Sequence, residues 1–400
     1  MTYISLYRKY RSQTFDEIVG QSHITTTLKN AISSNRIAHA YLFSGPRGTG
    51  KTSTARIFAK ALNCEKGPTP EPCNECDICD SVTRDVLFDV VEIDAASNRG
   101  IDDIRDIKEK VRVPPVQARY KVYIIDEVHM LSTPAFNALL KTLEEPPPNV
   151  IFILATTEAH KLLSTILSRC QRFDFRRIPT SAIHGHLVKI AENENFEAES
   201  DALATIAATA DGSLRDAISI LDQLVSFSGG KITAEHVSDV LGMIPGGEML
   251  SFINALLDND APRCFELFDQ FFQEGKSVSL FVRLLLEHFR DIYFLQAGMP
   301  VELSEPSLKD PIEKQAKKIK NPTLVKMLDE TAKVEERVRW ENYPRIVLEI
   351  LIIKLLYMLH STEAEERPQK TAAREKPAAR RAAPAPRPPN PRRNRPTCRA

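Results

Sequence analysis

The sequence predicts a parallel α/β sheet covered by helices, with a small cysteine module inserted in it and all-helical segments after it. Three observations lead there. Apolar runs of strand length alternate with amphipathic helical patterns as far as residue 175, the pattern of a parallel sheet with crossover helices on both faces. The first such run passes directly into Gly45-Pro46-Arg47-Gly48-Thr49-Gly50-Lys51-Thr52, a glycine-rich turn whose backbone N–H groups can curl around a polyphosphate without side-chain collisions. Beyond Pro179 the strand-like runs stop and only helical periodicity remains.

In chain order, an amphipathic helix runs from a Ser22 cap to about Ser33, with Ile24, Leu28, Ala31 and Ile32 on its apolar face. Ala40-Tyr41-Leu42-Phe43 is the first strand, and a helix from Ser53 to about Leu62 follows the glycine-rich loop. Lys51 is expected to reach the β- and γ-phosphates and Thr52 to place its hydroxyl on Mg²⁺. Cys64, Cys73, Cys76 and Cys79 then bracket a Gly/Pro-rich loop. Four thiolates suit a structural Zn²⁺ with no open coordination position. The two-residue spacing would also serve part of an iron–sulfur cluster, and unmetallated thiols are the third reading.

Asp89-Val90-Val91-Glu92-Ile93-Asp94 reads as the second strand. A helix follows with Ile101, Ile104, Ile107 and Val111 on one face and Arg99, Arg105, Lys108 and Lys110 elsewhere. Such a charged face is ordinarily just solvated. The third strand, 121–127, ends in Asp126-Glu127. The end of a buried parallel strand delivers side chains to the crevice beside the phosphate loop, where Asp126 would bind Mg²⁺ and Glu127 would orient and deprotonate an attacking water. A helix after Pro134 stops at Pro146-Pro147-Pro148, the fourth strand from Val150 ends in Thr156-Thr157, and Ser168-Arg169-Cys170 precedes a short strand from Gln171 to Phe175.

Helical patterns at 182–192, 201–210, 214–226 and 234–241 form a small bundle, 242–247 reads as a linker, and long apolar-faced helices follow at 277–297 and 342–358. The expected domains are 1–178, 179–242 and 243–360, with a Pro/Ala-rich basic tail over 361–400 that is too poor in apolar residues to fold. That tail holds eleven Lys/Arg and four Glu, so the formal net charge of +0 hides an acidic body. Any nucleic-acid affinity of the body must therefore come from a local basic surface. The chain has 42% hydrophobic and 26% charged residues, and neither a signal peptide nor a run of membrane-spanning length. It reads as cytoplasmic, and its seven cysteines are not a disulfide framework.

Together these motifs resemble the AAA+ ATPases and, within them, the gamma/tau subunits of bacterial DNA polymerase III clamp loaders. The residues that carry the resemblance are His39-Ala40-Tyr41-Leu42-Phe43-Ser44 running into the phosphate loop, the four-cysteine insertion, Ala135-Phe136-Asn137-Ala138-Leu139-Leu140-Lys141-Thr142-Leu143-Glu144-Glu145-Pro146, and Ser168-Arg169-Cys170. It implies an AAA+ domain, a helical lid and a helical collar. The implied activity is ATP hydrolysis within a DNA polymerase III holoenzyme, in a pentamer with delta-type and delta-prime-type subunits that opens a sliding clamp and loads it on primed DNA. By the same resemblance Thr157 (or Thr156) is a polar sensor, Arg169 an arginine finger for a neighbouring subunit's ATP, and Arg215 a lid sensor for its own. Arg99, Arg105 and Lys141 would face DNA phosphates. Leu163 stands where proline is common in the family, and the resemblance leaves open whether Ala400 ends a short form, a frameshift product or a truncation. The rival readings are an AAA+ DNA translocase or branch-migration helicase, and a non-hydrolysing stator that could dispense with Lys51, Thr52 and Glu127.

Overall fold

The structure is a computed structural model that describes residues 4–98, 100, 109–111, 113–301, 308–338, 341 and 343–365. The expected contacts of Arg99 and Arg105, most of the helix beginning at Ile101, and the tail beyond residue 365 lie outside these. The chain divides into two compact units, Met1–Met249 with Phe268–Leu284, and Leu250–Leu267 with Leu285–Ala400.

Five strands form the sheet of the first unit: β1 (Ala40–Ser44), β2 (Val90–Asp94), β3 (Lys121–Asp126), β4 (Val150–Thr156) and β5 (Gln171–Asp174). They are all parallel, in the order β2-β3-β4-β1-β5. β1, β3 and β4 carry near-continuous apolar runs, as strands covered on both faces must, and β1 and β4 are buried along their whole length. One face packs Tyr41, Phe43, Ile124 and Ile153 against Ile57, Phe58 and Leu62. The other packs Leu42, Tyr123, Phe152 and Leu154 against Phe136, Leu139 and Leu143. Register aligns Ser44 with Thr156 and Asp94 with Asp126, so the polar strand ends gather on one edge.

The helices of this unit begin with α1 (Leu6–Lys9) and α2 (Ser22–Ser33). α2 is not capped by Ser22, contrary to expectation: Gln21 is its N-cap residue and Ser22 its first helical residue. The reason is tertiary, since the fully buried Gln21 amide exchanges hydrogen bonds with the backbone of Arg176, accepting from its N–H at 3.1 Å and donating to its carbonyl at 2.7 Å. α3 (Lys51–Asn63) starts two residues earlier than predicted because left-handed Gly50, φ 99°, feeds the loop straight into the helix. α4 (Asp77–Thr83), α5 (Thr133–Glu144, capped by the Ser132 hydroxyl) and α6 (Ser164–Leu167) complete the sheet domain.

α7 (Thr180–Glu194), α8 (Ser200–Thr209), α9 (Leu214–Ser228) and α10 (Ala234–Leu241) form the expected bundle around Ile183, Leu187, Ile206 and Leu221. Leu6, Tyr7 and Tyr10 pack into that same core. Strands do not stop at Pro179 as expected: Glu197–Ala198 and Lys231–Ile232 pair in parallel, too short to leave a periodic signal. The expected linker 242–247 is also shorter, because α11 (Gly246–Leu257) begins inside it and left-handed Gly242 alone closes α10.

α12 (Ala261–Gln273), α13 (Val278–Gln296), α14 (Lys309–Ala316), α15 (Asn321–Val338) and α16 (Pro344–Glu365) follow. The second unit has a buried polar knot, in which the His288 ring meets Gln315 Oε1 at 2.7 Å and the Gln315 amide donates to Asn254 Oδ1 at 2.9 Å. Among the described residues no single helix is long and apolar enough to cross a membrane.

Asp89, just before β2, is 1% exposed and accepts the backbone N–H groups of Val116, Gln117 and Ala118 at 2.7–3.0 Å. Replacing it by Ala would orphan those donors, and Asp89→Ala is expected to lower unfolding free energy by about 2–4 kcal/mol, measured by denaturant titration.

Candidate nucleotide and metal sites

The phosphate loop is shaped by its glycines. Gly45, Gly48 and Gly50 have φ of 146°, 73° and 99°, the region where side chains are strained. At Gly45 and Gly48 there is also no space for a larger residue. A Cβ on Gly45 would stand 2.3 Å from the Phe175 carbonyl oxygen, and one on Gly48 would stand 1.9 Å from the Ser213 hydroxyl. Thr49 pins the turn by donating to the Pro46 carbonyl at 2.8 Å, while Arg47 is exposed.

The loop leads into an open cleft lined by residues 47–53 with Asp126, Glu127 and Arg215. Lys51, 6% exposed, donates from Nζ to the carbonyls of Gly45 and Pro46 at 2.9 and 2.8 Å. Burial draws its pKa down, while Glu127 and Asp126 pull it back up. The Thr52 hydroxyl donates to Asp126 Oδ2 at 2.6 Å. This puts a hydroxyl and a carboxylate side by side at the helix N-terminus, a donor set of hard oxygens that suits Mg²⁺ completed by phosphate and water.

Glu127 follows the strand in a left-handed conformation, φ 45° and ψ 44°, uncommon for a residue with a side chain. Its Oε2 accepts the Thr157 hydroxyl at 3.1 Å and the Thr157 N–H at 3.3 Å. Of the alternative sensors, Thr157 is therefore the one in contact with Glu127. Thr156 is buried and pairs with the His129 ring at 3.0 Å. His129 was not singled out from the sequence, yet its other ring nitrogen lies 3.0 Å from Glu158.

Arg215 enters from α9, with its guanidinium 5.3 Å from the Tyr7 ring centroid. The lid also touches the loop directly, because the Leu214 N–H donates to the Gly48 carbonyl at 3.2 Å. Sequence reasoning missed the N-terminal lining, Tyr7, Tyr10, Arg11 and Ser12. The aromatic and basic alternation of that stretch was visible, but it has no period that says where it docks.

Arg169 is outside the cleft. It donates to the Glu144 carboxylate and to the Thr165 carbonyl, each at 2.7 Å, with its side chain 33% exposed. Lys141 is exposed on α5.

The four thiols of Cys64, Cys73, Cys76 and Cys79 lie within 4.8 Å of one another. A tetrahedron of about 2.3 Å Zn–S bonds needs sulfurs about 3.8 Å apart, so the cluster fits the ion. The backbone also favours thiolates: the N–H groups of Cys76 and Cys79 point at the sulfurs of Cys73 and Cys76, at 3.4 and 3.5 Å. The backbone N–H of Glu75, and after it that of Cys76, draw the Cys73 thiol down to about 6, whereas burial pushes Cys79 up.

Three comparisons bear on this geometry. Residues 20–179 match the family described as DNA polymerase III, delta subunit, residues 182–230 the DNA polymerase III clamp loader subunit ATPase lid domain, and residues 232–370 domain III of DNA polymerase III subunits gamma and tau. The DNA polymerase III subunit tau of Bacillus subtilis is 46% identical over 91% of this chain and 65% of its own length. The subunit gamma of Buchnera aphidicola is 39% identical over 76% of this chain and 83% of its own. The chain thus spans less than two-thirds of some relatives it matches, 65% of the Bacillus subunit and 62% of the gamma/tau subunit of Mycobacterium tuberculosis. Among solved structures, Thermotoga maritima RuvB aligns at TM-score 0.46 with 18% identity, over 62% of this chain and 79% of that one.

Two outcomes follow from the site geometry. Gly48→Ala, which drives a Cβ into Ser213, should weaken binding of a fluorescent ATP analogue by about tenfold or more, read by equilibrium titration. Elemental analysis of the purified protein should return one zinc per chain, and an absence of zinc with four freely titratable thiols would refute the metal assignment.

Proposed function

This chain belongs to the DNA polymerase III gamma/tau family, and on that premise we propose that it is an ATP-hydrolysing motor of a replicative clamp loader. It would work in a pentamer with delta-type and delta-prime-type subunits, opening a sliding clamp and releasing it on primed DNA. The AAA+ domain takes residues 1–178, the lid 179–242 and the collar 243–360. The observation that carries the reading is the convergence in one cleft of Lys51, the Thr52–Asp126 pair, Glu127 and the lid residue Arg215.

Lys51 exchanges its two carbonyl partners for the β- and γ-phosphate oxygens, supported by the loop N–H groups and the positive end of α3. Thr52 and Asp126 would hold a Mg²⁺, which would supply neutralisation of the charge developing on the phosphates. Glu127 accepts the proton of the attacking water once Thr157 orients its carboxylate. Arg215 binds the γ-phosphate from the lid, which lets the lid report the nucleotide state. Arg169 leaves its exposed partner Glu144, an ion pair of the weak class, and serves the γ-phosphate of the next subunit. Its position outside its own cleft supports that role, and a finger supplied in trans is worth about 10³–10⁵ in rate. Lys141, with Arg99 and Arg105, tracks DNA phosphates without reading sequence.

α16 supports assembly with related subunits, since Ile346, Ile350, Ile353 and Tyr357 recur at helical spacing and are 52%, 48%, 56% and 73% exposed.

The test is steady-state ATP hydrolysis by the assembled loader, with and without clamp and primed DNA. Stimulation that needs both, and falls at least about 10²-fold in Arg169→Ala and Glu127→Gln proteins while Glu127→Gln still binds nucleotide, is the expected result. Stimulation by DNA alone, indifferent to clamp, would favour a translocase. Parental turnover by Glu127→Gln would restore the stator reading.

A further inference from the structure

Lys60 stands in the last turn of α3, at the opposite end of the helix from the phosphates, and is only 2% exposed. A buried ammonium needs partners, and this one donates to Asn74 Oδ1 at 2.7 Å, Thr83 Oγ1 at 3.2 Å and Gln13 Oε1 at 2.6 Å. Asn74 sits in the turn between Cys73 and Cys76 with φ 56°, and Thr83 ends α4, which Cys76 caps. Two of the three acceptors therefore belong to the cysteine module. Its charge is complementary as well, because four thiolates around a divalent cation carry two net negative charges.

The third acceptor, which also accepts the Thr83 hydroxyl at 3.3 Å, belongs to a different part of the chain. The Gln13 amide donates to the Arg11 carbonyl at 2.9 Å, and the Gln13 N–H donates to the Glu17 carboxylate at 2.6 Å. Arg11 and Ser12 line the nucleotide cleft. Upstream, the Tyr10 hydroxyl donates to Glu194 on α7 at 2.5 Å, and Leu6 is buried in the lid core. Residues 6–17 thus form a strap along one wall of the cleft, moored to the lid at one end and to Lys60 at the other.

We propose that Lys60 is a positioning residue through which the metal-bound four-cysteine module pins the strap at Gln13 and so sets Arg11 and Ser12 against the bound nucleotide. The proposal rests on the reading of the cleft as a nucleotide site and gives the cysteine module a task in nucleotide affinity. The ammonium keeps the module, α3 and the strap in register. Loosening any one of the three releases the wall of the cleft without touching the phosphate loop.

The test is a titration of the full chain with a fluorescent ATP analogue, for the parental protein, Gln13→Ala, Lys60→Met, the double variant, and each after zinc removal by a chelator. Gln13→Ala should raise Kd roughly three- to tenfold, because only part of the free energy of the lost hydrogen bond reaches the nucleotide through Arg11 and Ser12. Zinc content should remain at one per chain, and basal kcat at saturating ATP should be unchanged. Lys60→Met and chelation should each act through the same link, so that neither worsens binding by Gln13→Ala. Parental affinity in Gln13→Ala, or effects of chelation and Gln13→Ala that multiply, would overturn the proposal. Should Lys60→Met fail to fold, the Gln13→Ala and chelation cycle decides alone. Lys51→Ala separates the two readings: if it binds like the parental protein, the nucleotide site itself is misassigned.

Discussion

Everything around the cleft depends on how closely the phosphate loop is held. On one side the Phe175 carbonyl closes on Gly45, and on the other the Ser213 hydroxyl closes on Gly48. With the sheet behind it and the lid in front, the loop has little freedom to reorganise. A loop held this closely is the kind of fixed backbone in which electrostatic stabilisation of a bound anion is most effective. The same contacts make the lid part of the site, because Leu214 and Ser213 touch the loop backbone and Arg215 follows them in the helix.

The sheet supplies the second half of the arrangement. Parallel pairing brings the C-terminal ends of β1, β3 and β4 to one edge. Residues far apart in sequence, Thr52 and Asp126, thereby come to share a hydrogen bond. The carboxylate of Glu127 reaches across to Thr157, so the residues that follow two strands directly are joined.

Elements with a strong period, or a fixed motif, were legible in the sequence. The five strands were found to within a residue or two of their ends, and the loop, the paired carboxylates and the cysteine cluster were identifiable because their spacing is local. What escaped was fixed by distant partners. Gln21 displaced Ser22 as the cap because its amide binds Arg176. The two-residue strands near 197 and 231 exist only because the bundle brings them together. The N-terminal lining is set by the lid core that receives Leu6 and Tyr10, for which the sequence holds no register. His129 was passed over because its meaning lies in Glu158 and Thr156, neither of them a neighbour in the chain.

The left-handed backbone of Glu127 carries a consequence for how such a chain evolves. A residue with a side chain held in that region gives up on the order of 1–2 kcal/mol that glycine would not. At this position backbone strain alone favours glycine over the carboxylate present, and drift towards stability alone would favour that replacement. A lineage in which the Glu127 carboxylate had no task would meet no thermodynamic resistance to replacing it by glycine, and would gain robustness by doing so.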